Sequence, residues 1–144
     1  MSAPRPRCSV FIAVSLDGFI ARQDGSIDWL SRVEAAGEDY GYRAFMDSVD
    51  AVVLGRITYD HVLSFASWPF DGKRCVVLTH RPLAAPVHGE ADFAGSPAAL
   101  LDSLDGARRV YVDGGAAIRA FLAAGLVDDL TLSVVPVLLG RGRP

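Results

Sequence analysis

The chain has 144 residues, a length that fits one domain able to bury a sizeable core. Half of the residues are hydrophobic (51%) and 22% are charged, which excludes bulk disorder. The formal net charge of -3 gives no broad electrostatic reason to bind nucleic acid or an anionic membrane. No apolar run approaches the roughly 20 residues that span a bilayer.

The basic, proline-containing start and the short, serine-interrupted run after it read as a first strand rather than a signal peptide. Residues 10–14 form the compact apolar part of that strand, ended by Ser15-Leu16-Asp17-Gly18, where Asp-Gly favours a turn. Residues 19–30 read as a long loop with a second Asp-Gly turn at Asp24-Gly25. From Asp39 to Val49, the residues Tyr42, Phe45, Met46 and Val49 follow the i, i+3, i+4, i+7 spacing of a helix. A buried strand is expected over 51–55. Thr58 is then placed as N-cap of a helix reaching Ser64.

A loop over 66–72 precedes a strand over 75–79, and a short strand is expected at 91–93. Ser96-Pro97 carries the N-cap and first-position signals of a helix that closes near Gly106. A strand at 109–112 leads to a helix at 116–124, with Gly125 as its stop. The last strand, 129–139, contains Pro136, which implies an edge position or a bulge. Strands alternating with helices predict an α/β fold with a mainly parallel sheet covered on both faces, in a single domain over 1–144. Cys8 and Cys75 fall in predicted strands without metal-ligand spacing, so no metal and a reduced, cytoplasmic setting are expected.

Three motifs stand where an apolar run gives way to a helix or turn: Gly55-Arg56-Ile57-Thr58, Thr79-His80-Arg81 and Asp113-Gly114-Gly115. In open α/β sheets, ligands sit beyond the carboxyl ends of the strands, and helix N-termini there favour anions. Gly55 admits close backbone approach, while Arg56 and Thr58 have donors for phosphate oxygens. A plain strand-to-helix turn with a surface arginine is the other reading. No GxGxxG fingerprint is present, which disfavours an ordinary Rossmann dehydrogenase.

In order and spacing, Ser15-Leu16-Asp17-Gly18, Gly55-Arg56-Ile57-Thr58-Tyr59 and Gly114-Gly115 resemble the dihydrofolate reductase superfold. They are most similar to the reductase domain of bifunctional riboflavin-biosynthesis enzymes and its stand-alone bacterial relatives. The likeness runs from about Cys8 to Pro144. It implies a three-layer α/β fold, NADPH binding and hydride transfer to a small heteroaromatic or imine-like substrate. Under that resemblance Gly55, Arg56, Thr58, Thr79, Arg81, Gly114 and Gly115 are cofactor-binding candidates. Arg81 is placed to meet a 2′-phosphate, which favours NADPH over NADH; a solvated turn before Pro82 is the alternative.

Hydride transfer also calls for a proton, so a carboxyl is expected in the site. Asp39 lies three residues before Tyr42, on the inward side of its predicted helix, with Glu38 as substitute if the phase slips by one. Either serves chemistry or simply complements the helix dipole. Asp17 stands where the resemblance places a loop lining the active site; an Asp-Gly turn is its plain reading. Asp113 stands where the riboflavin-pathway reductases commonly carry Glu, so it is a substrate-binding candidate with a shorter reach. Trp29 either walls the pocket or anchors its loop. The expected function is thus an NADPH-dependent oxidoreductase; the alternative is a cofactor-binding or oligomeric protein without turnover.

The resemblance also implies further strands beyond the Leu-Leu-Gly-Arg-Gly segment. The chain stops at Pro144, so a sheet lacking its C-terminal strands is expected, and with it either association through the edge left open, favoured as a symmetric homodimer, or markedly lower stability than a longer version.

Overall fold

The structure is a computed structural model that describes residues 5–33, 40–84, 86 and 88–144. Six strands form one sheet in the order β4-β3-β2-β5-β1-β6, and every pairing between them is parallel. The strands are β1 (Arg7–Ser15), β2 (Ala51–Gly55), β3 (Arg74–Leu78), β4 (Ala91–Phe93), β5 (Arg109–Asp113) and β6 (Asp129–Val135). The helices are α1 (Tyr42–Asp47), α2 (Arg56–Val62), α3 (Pro97–Asp102) and α4 (Gly115–Ala123), with a 3-10 helix over Asp28–Val33. No helix among the described residues is long and apolar enough to cross a membrane.

The side-chain alternation of a strand divides the core in two. Ala51 and Val53 of β2 point to the layer of α3 and α4, where they meet Val10, Val112, Leu100, Ile118 and Phe121. Val52 and Leu54 point the other way, to Phe45 and Met46 of α1, Tyr59 and Val62 of α2, and Tyr111. Cys8 lies in the first layer and Cys75 in the second, and burial raises their thiol pKa values to about 11 and about 12. Both are free thiols packed as small hydrophobes.

Three elements differ from their sequence expectation. The helix predicted over 39–49 is confined to α1, because Tyr40 (φ 55°) and Gly41 (φ 86°) are left-handed and cannot extend a right-handed helix. Asp39 and Glu38 lie outside the described residues. Helix α2 is capped by Gly55 rather than Thr58; it begins at Arg56, so Thr58 is its third residue. Strand β6 stops at Val135, before Pro136 removes a donor from the ladder. As Pro136 implied, β6 is an edge strand. By contrast, Ser96 caps α3 as its sequence predicts, accepting from Ala99 N (3.1 Å) ahead of Pro97.

At the N-terminal ends of the strands, ionic pairs tie β1 and β5 to the start of β6. Arg5 grips Asp128 with two bonds of 2.8 Å, and Arg7 reaches Asp129 at 2.6 Å. Arg109 joins Asp129 (3.3 Å), Ser9 (2.9 Å) and Ser48 (2.6 Å) while lying over the Phe45 ring. Strand pairing here is locked by side chains as well as backbone.

Phe121 of α4 is fully buried against this core. Its replacement by Ala is expected to cost about 3–5 kcal/mol through lost burial and the cavity left behind. Urea unfolding followed by circular dichroism measures it; a loss below about 1 kcal/mol would mean that α4 does not pack as described.

Candidate functional site

In an open parallel sheet the strand order fixes where a crevice is expected. From β2 the chain moves outward through β3 and β4, then returns to insert β5 between β2 and β1 before leaving for β6 on the opposite side. The connections after β2 and β5 therefore diverge, which leaves a topological switch point at their C-terminal ends. Two strand-to-helix turns meet there: Gly55 into α2 and Gly114 into α4.

These turns are packed against each other. Gly114 has φ 95° and ψ 137°, a conformation that L side chains rarely adopt. A Cβ at Gly114 would collide with the Thr58 hydroxyl and stand 3.4 Å from Gly55 N. One at Gly55 would meet Ala117 N at 3.6 Å, an ordinary contact. Neither α2 nor α4 has a side-chain cap, in contrast with α3. Their first N–H groups thus lack the side-chain acceptor that a Ser, Thr or Asp cap supplies.

Gly55, Thr58, Asp113, Gly114 and Gly115 come together at this point. The Arg56 guanidinium bonds Asp60 (Nε, 3.2 Å) and the Arg81 carbonyl (Nη1, 2.9 Å). It thereby ties the turn after β3 to α2. In that turn the Thr79 hydroxyl accepts from Arg81 N (3.2 Å), and Thr79 N donates to Phe93 O (3.0 Å). Thr79 and Arg81 reach the cluster through Arg56.

Asp113 ends β5 in the middle of the sheet. Burial pushes its carboxyl pKa upward, partly offset by the Gly114 N–H that donates to Oδ1 (2.9 Å) and by the Tyr111 hydroxyl. Two tyrosines, neither of them a candidate in the sequence analysis, lie beside it. Tyr111 lies two positions earlier, on the same face of the strand; its hydroxyl donates to Phe11 O (3.3 Å) and burial holds its pKa far above the usual phenol range. Tyr42, half-sheltered at the start of α1, is shifted upward by burial first and by the Asp113 charge second. Its ring meets Phe11 edge-on at 5.9 Å, and Phe11 stacks on Phe45 at 4.9 Å. The i, i+2 spacing of Tyr111 and Asp113 was the available signal.

Asp17 has the opposite character. Its carboxylate accepts from Ser15 Oγ (2.6 Å), Gly140 N (2.8 Å) and Leu139 N (3.2 Å). The Ser15 hydroxyl, ahead of the two backbone donors, holds its pKa below the ordinary carboxylate range. Trp29 is 3% exposed in the 3-10 helix, and its indole Nε1 is buried without a partner. It lines a cleft of about 280 Å³ with Arg22 and residues 136–139. A larger cleft of about 510 Å³ adjoins it, between residues 22–24 and Leu139, Gly140 and Arg141.

Gly114→Ala should combine the cost of a forbidden conformation, about 1–3 kcal/mol, with displacement of Thr58. A melting temperature equal to that of the unaltered protein would show that the two turns are not in contact.

Residues 96–144 match the family model of the RibD C-terminal domain. The chain is 40% identical over 140 residues to the uncharacterized protein YwjB of Bacillus subtilis (strain 168), covering 94% of this chain and 79% of YwjB. It is 33% identical over 125 residues to the dihydrofolate reductase HdrB of Haloferax volcanii, covering 82% and 62% of the two chains. A crystal structure of a protein from Shewanella sp. PV-4, provisionally named for riboflavin biosynthesis, superposes with a TM-score of 0.88 at 37% identity, covering 96% of this chain and 81% of that one. The chain belongs to the reductase-like family of the RibD C-terminal domain and its stand-alone relatives, with their dihydrofolate reductase-like α/β fold.

Proposed function

We propose that the protein is an NADPH-dependent reductase acting on a small heteroaromatic or imine-like molecule. One observation carries this reading: two uncapped helix starts face each other across Gly55 and Gly114, next to a half-buried carboxyl of raised pKa. Free N–H groups and dipole ends suit the phosphates of a dinucleotide. The glycines let the turns come close together. The donor set fits: Gly55, Gly114 and Gly115 supply backbone, Thr58 a hydroxyl, and Arg56 positive charge beside it, with Arg81 in the turn that Arg56 holds. When bound, the cofactor supplies the hydride. The reductase-like family and the name of the HdrB relative support the same class of reaction.

The chain's own residues would manage the proton. Asp113 Oδ1 accepts from the Gly114 N–H, and the Tyr111 hydroxyl also interacts with the carboxyl. Burial raises its pKa and so favours the neutral form, the form that would give a proton to a reduced substrate nitrogen or carbon. Tyr42 and Phe11 offer aromatic surface beside it for a planar ring, and Trp29 walls the neighbouring cleft. Asp17, held ionised by three donors, is poorly suited to that task.

Asp113→Asn should lower turnover about 10²-fold or more while leaving NADPH affinity nearly unchanged. Stability should move the other way. A carboxyl whose folded pKa is raised binds more protons folded than unfolded, so it lowers stability as pH rises above its unfolded pKa near 3.9. The Asn variant, free of that penalty, should melt higher at pH 7, with the difference vanishing towards pH 3. Saturable NADPH binding without oxidation on any candidate substrate would instead favour a non-catalytic binding protein.

We also propose that the protein forms a symmetric homodimer through β6. This strand pairs on one side only, and Leu130, Leu132 and Val134 on one of its faces are 50%, 49% and 56% exposed. By register they continue the row of Val10, Ile12 and Val14. An unpaired edge beside apolar surface favours association with a second copy. Light scattering over a dilution series should give twice the chain mass; a monomer at every concentration removes the dimer.

A further inference from the structure

Residues 136–144 run from the end of β6 back across the carboxyl ends of the strands. Near the middle of this segment, Leu139 and Gly140 give their N–H groups to Asp17, more than 120 residues earlier in the chain. Further on, it forms a short antiparallel contact with the loop after β1: Ile20 N donates to Arg143 O (2.7 Å) and Arg143 N to Ala21 O (2.8 Å). Gly142 fits where a Cβ would strike Ala21 O. Beyond it, Pro144 O accepts from Arg119 Nη1 (3.0 Å) and lies 3.3 Å from the position of a Cβ on Gly115, the first residue of α4. The same segment forms one wall of both clefts. It is a strap, held to the β1 turn by the Asp17 carboxylate and by Leu16 N, which donates to Val137 O (2.9 Å).

We infer that Asp17 is a positioning residue that sets how firmly this strap covers the start of α4, and thereby how tightly the crevice beside it holds a dinucleotide. The coupling to a dinucleotide rests on the reading proposed above; the clasp does not. Ser15 orients the carboxylate from inside the fold. Its hydroxyl donates to Asp17 and accepts from Phe19 N (3.0 Å), and Ser15 itself is buried. An asparagine keeps the shape but loses the charge, and its amide group brings a second donor to face the two backbone donors.

Trypsin provides a local readout, because the exposed Arg141–Gly142 bond lies within the strap. Cleavage there separates the chain from residue 142 onward, a change visible by intact mass. Asp17→Asn should be cut at this bond about tenfold faster than the unaltered protein, with cutting at other arginines unchanged, since cleavage follows the population of the locally opened strap. In the unaltered protein NADPH should slow the cut, and the variant should bind NADPH several-fold more weakly. Equal rates at Arg141, or acceleration at all arginines alike, would overturn the clasp. NADPH that binds without slowing the cut, or binds both proteins equally, would overturn the coupling. Should NADPH fail to bind the unaltered protein, the cofactor reading and the coupling fall together, and the Arg141 rates still decide the clasp. If the variant does not fold, hydrogen exchange of the unaltered protein decides instead. Protected Leu139 and Gly140 amides support the clasp; exchange at open-loop rates overturns it.

Discussion

The C-terminal side of the sheet depends on how closely two strand-to-helix turns approach at Gly114. Only a residue without a Cβ takes this backbone conformation beside the Thr58 hydroxyl and Gly55 N. The approach puts the starts of α2 and α4 on neighbouring strands, both without a side-chain cap. Had Thr58 capped α2, as its sequence position suggested, one set of free N–H groups would have been answered from within the chain. With Gly55 as cap, Thr58 moves one turn inward and its hydroxyl packs on Gly114. A structural contact and a vacant donor set thus come from a single shift of helix start.

The same geometry separates the two central carboxylates. Asp113 and Asp17 both end inner strands or their turns, yet their surroundings push them in opposite directions. Asp113 sits beneath aromatic rings with one backbone donor, and burial favours its neutral form. Asp17 faces solvent and collects a hydroxyl and two backbone N–H groups, which favour its anion. Two carboxyls of one fold thus favour different protonation states, each set by its own surroundings.

Much of the frame was legible because its signals are local. The Ser96-Pro97 start, the buried runs of β2, β3 and β5, and the edge position implied by Pro136 each depend on a few adjacent residues. The candidate site was legible as a place but less so as a set of roles. Asp17 reads as a turn residue because its decisive partners are Leu139 and Gly140, which no local pattern connects to it. Arg56 reads as a free cation because the Arg81 carbonyl that receives it is brought near only by the β2–β3 pairing. Tyr111 and Tyr42 were not candidates because their proximity to Asp113 arises only from stacking α1 on the sheet.

The arginines add a final contrast between the two ends of the sheet. At the N-terminal ends, Arg5, Arg7 and Arg109 rest on the carboxylates of Asp128 and Asp129, with short charged bonds that leave little attraction for another anion. At the C-terminal ends, Arg119 rests on the carbonyl of Pro144, and Arg56 divides itself between a carbonyl and an exposed carboxylate. A guanidinium bond is charge-assisted whichever oxygen receives it, but a backbone oxygen brings no full opposite charge to cancel the cation. A chain of net charge -3 thus has its cations neutralised where they hold strands together. At the other end Arg56 and Arg119 use backbone oxygens to hold the turn after β3 and the C-terminal segment against the helix starts.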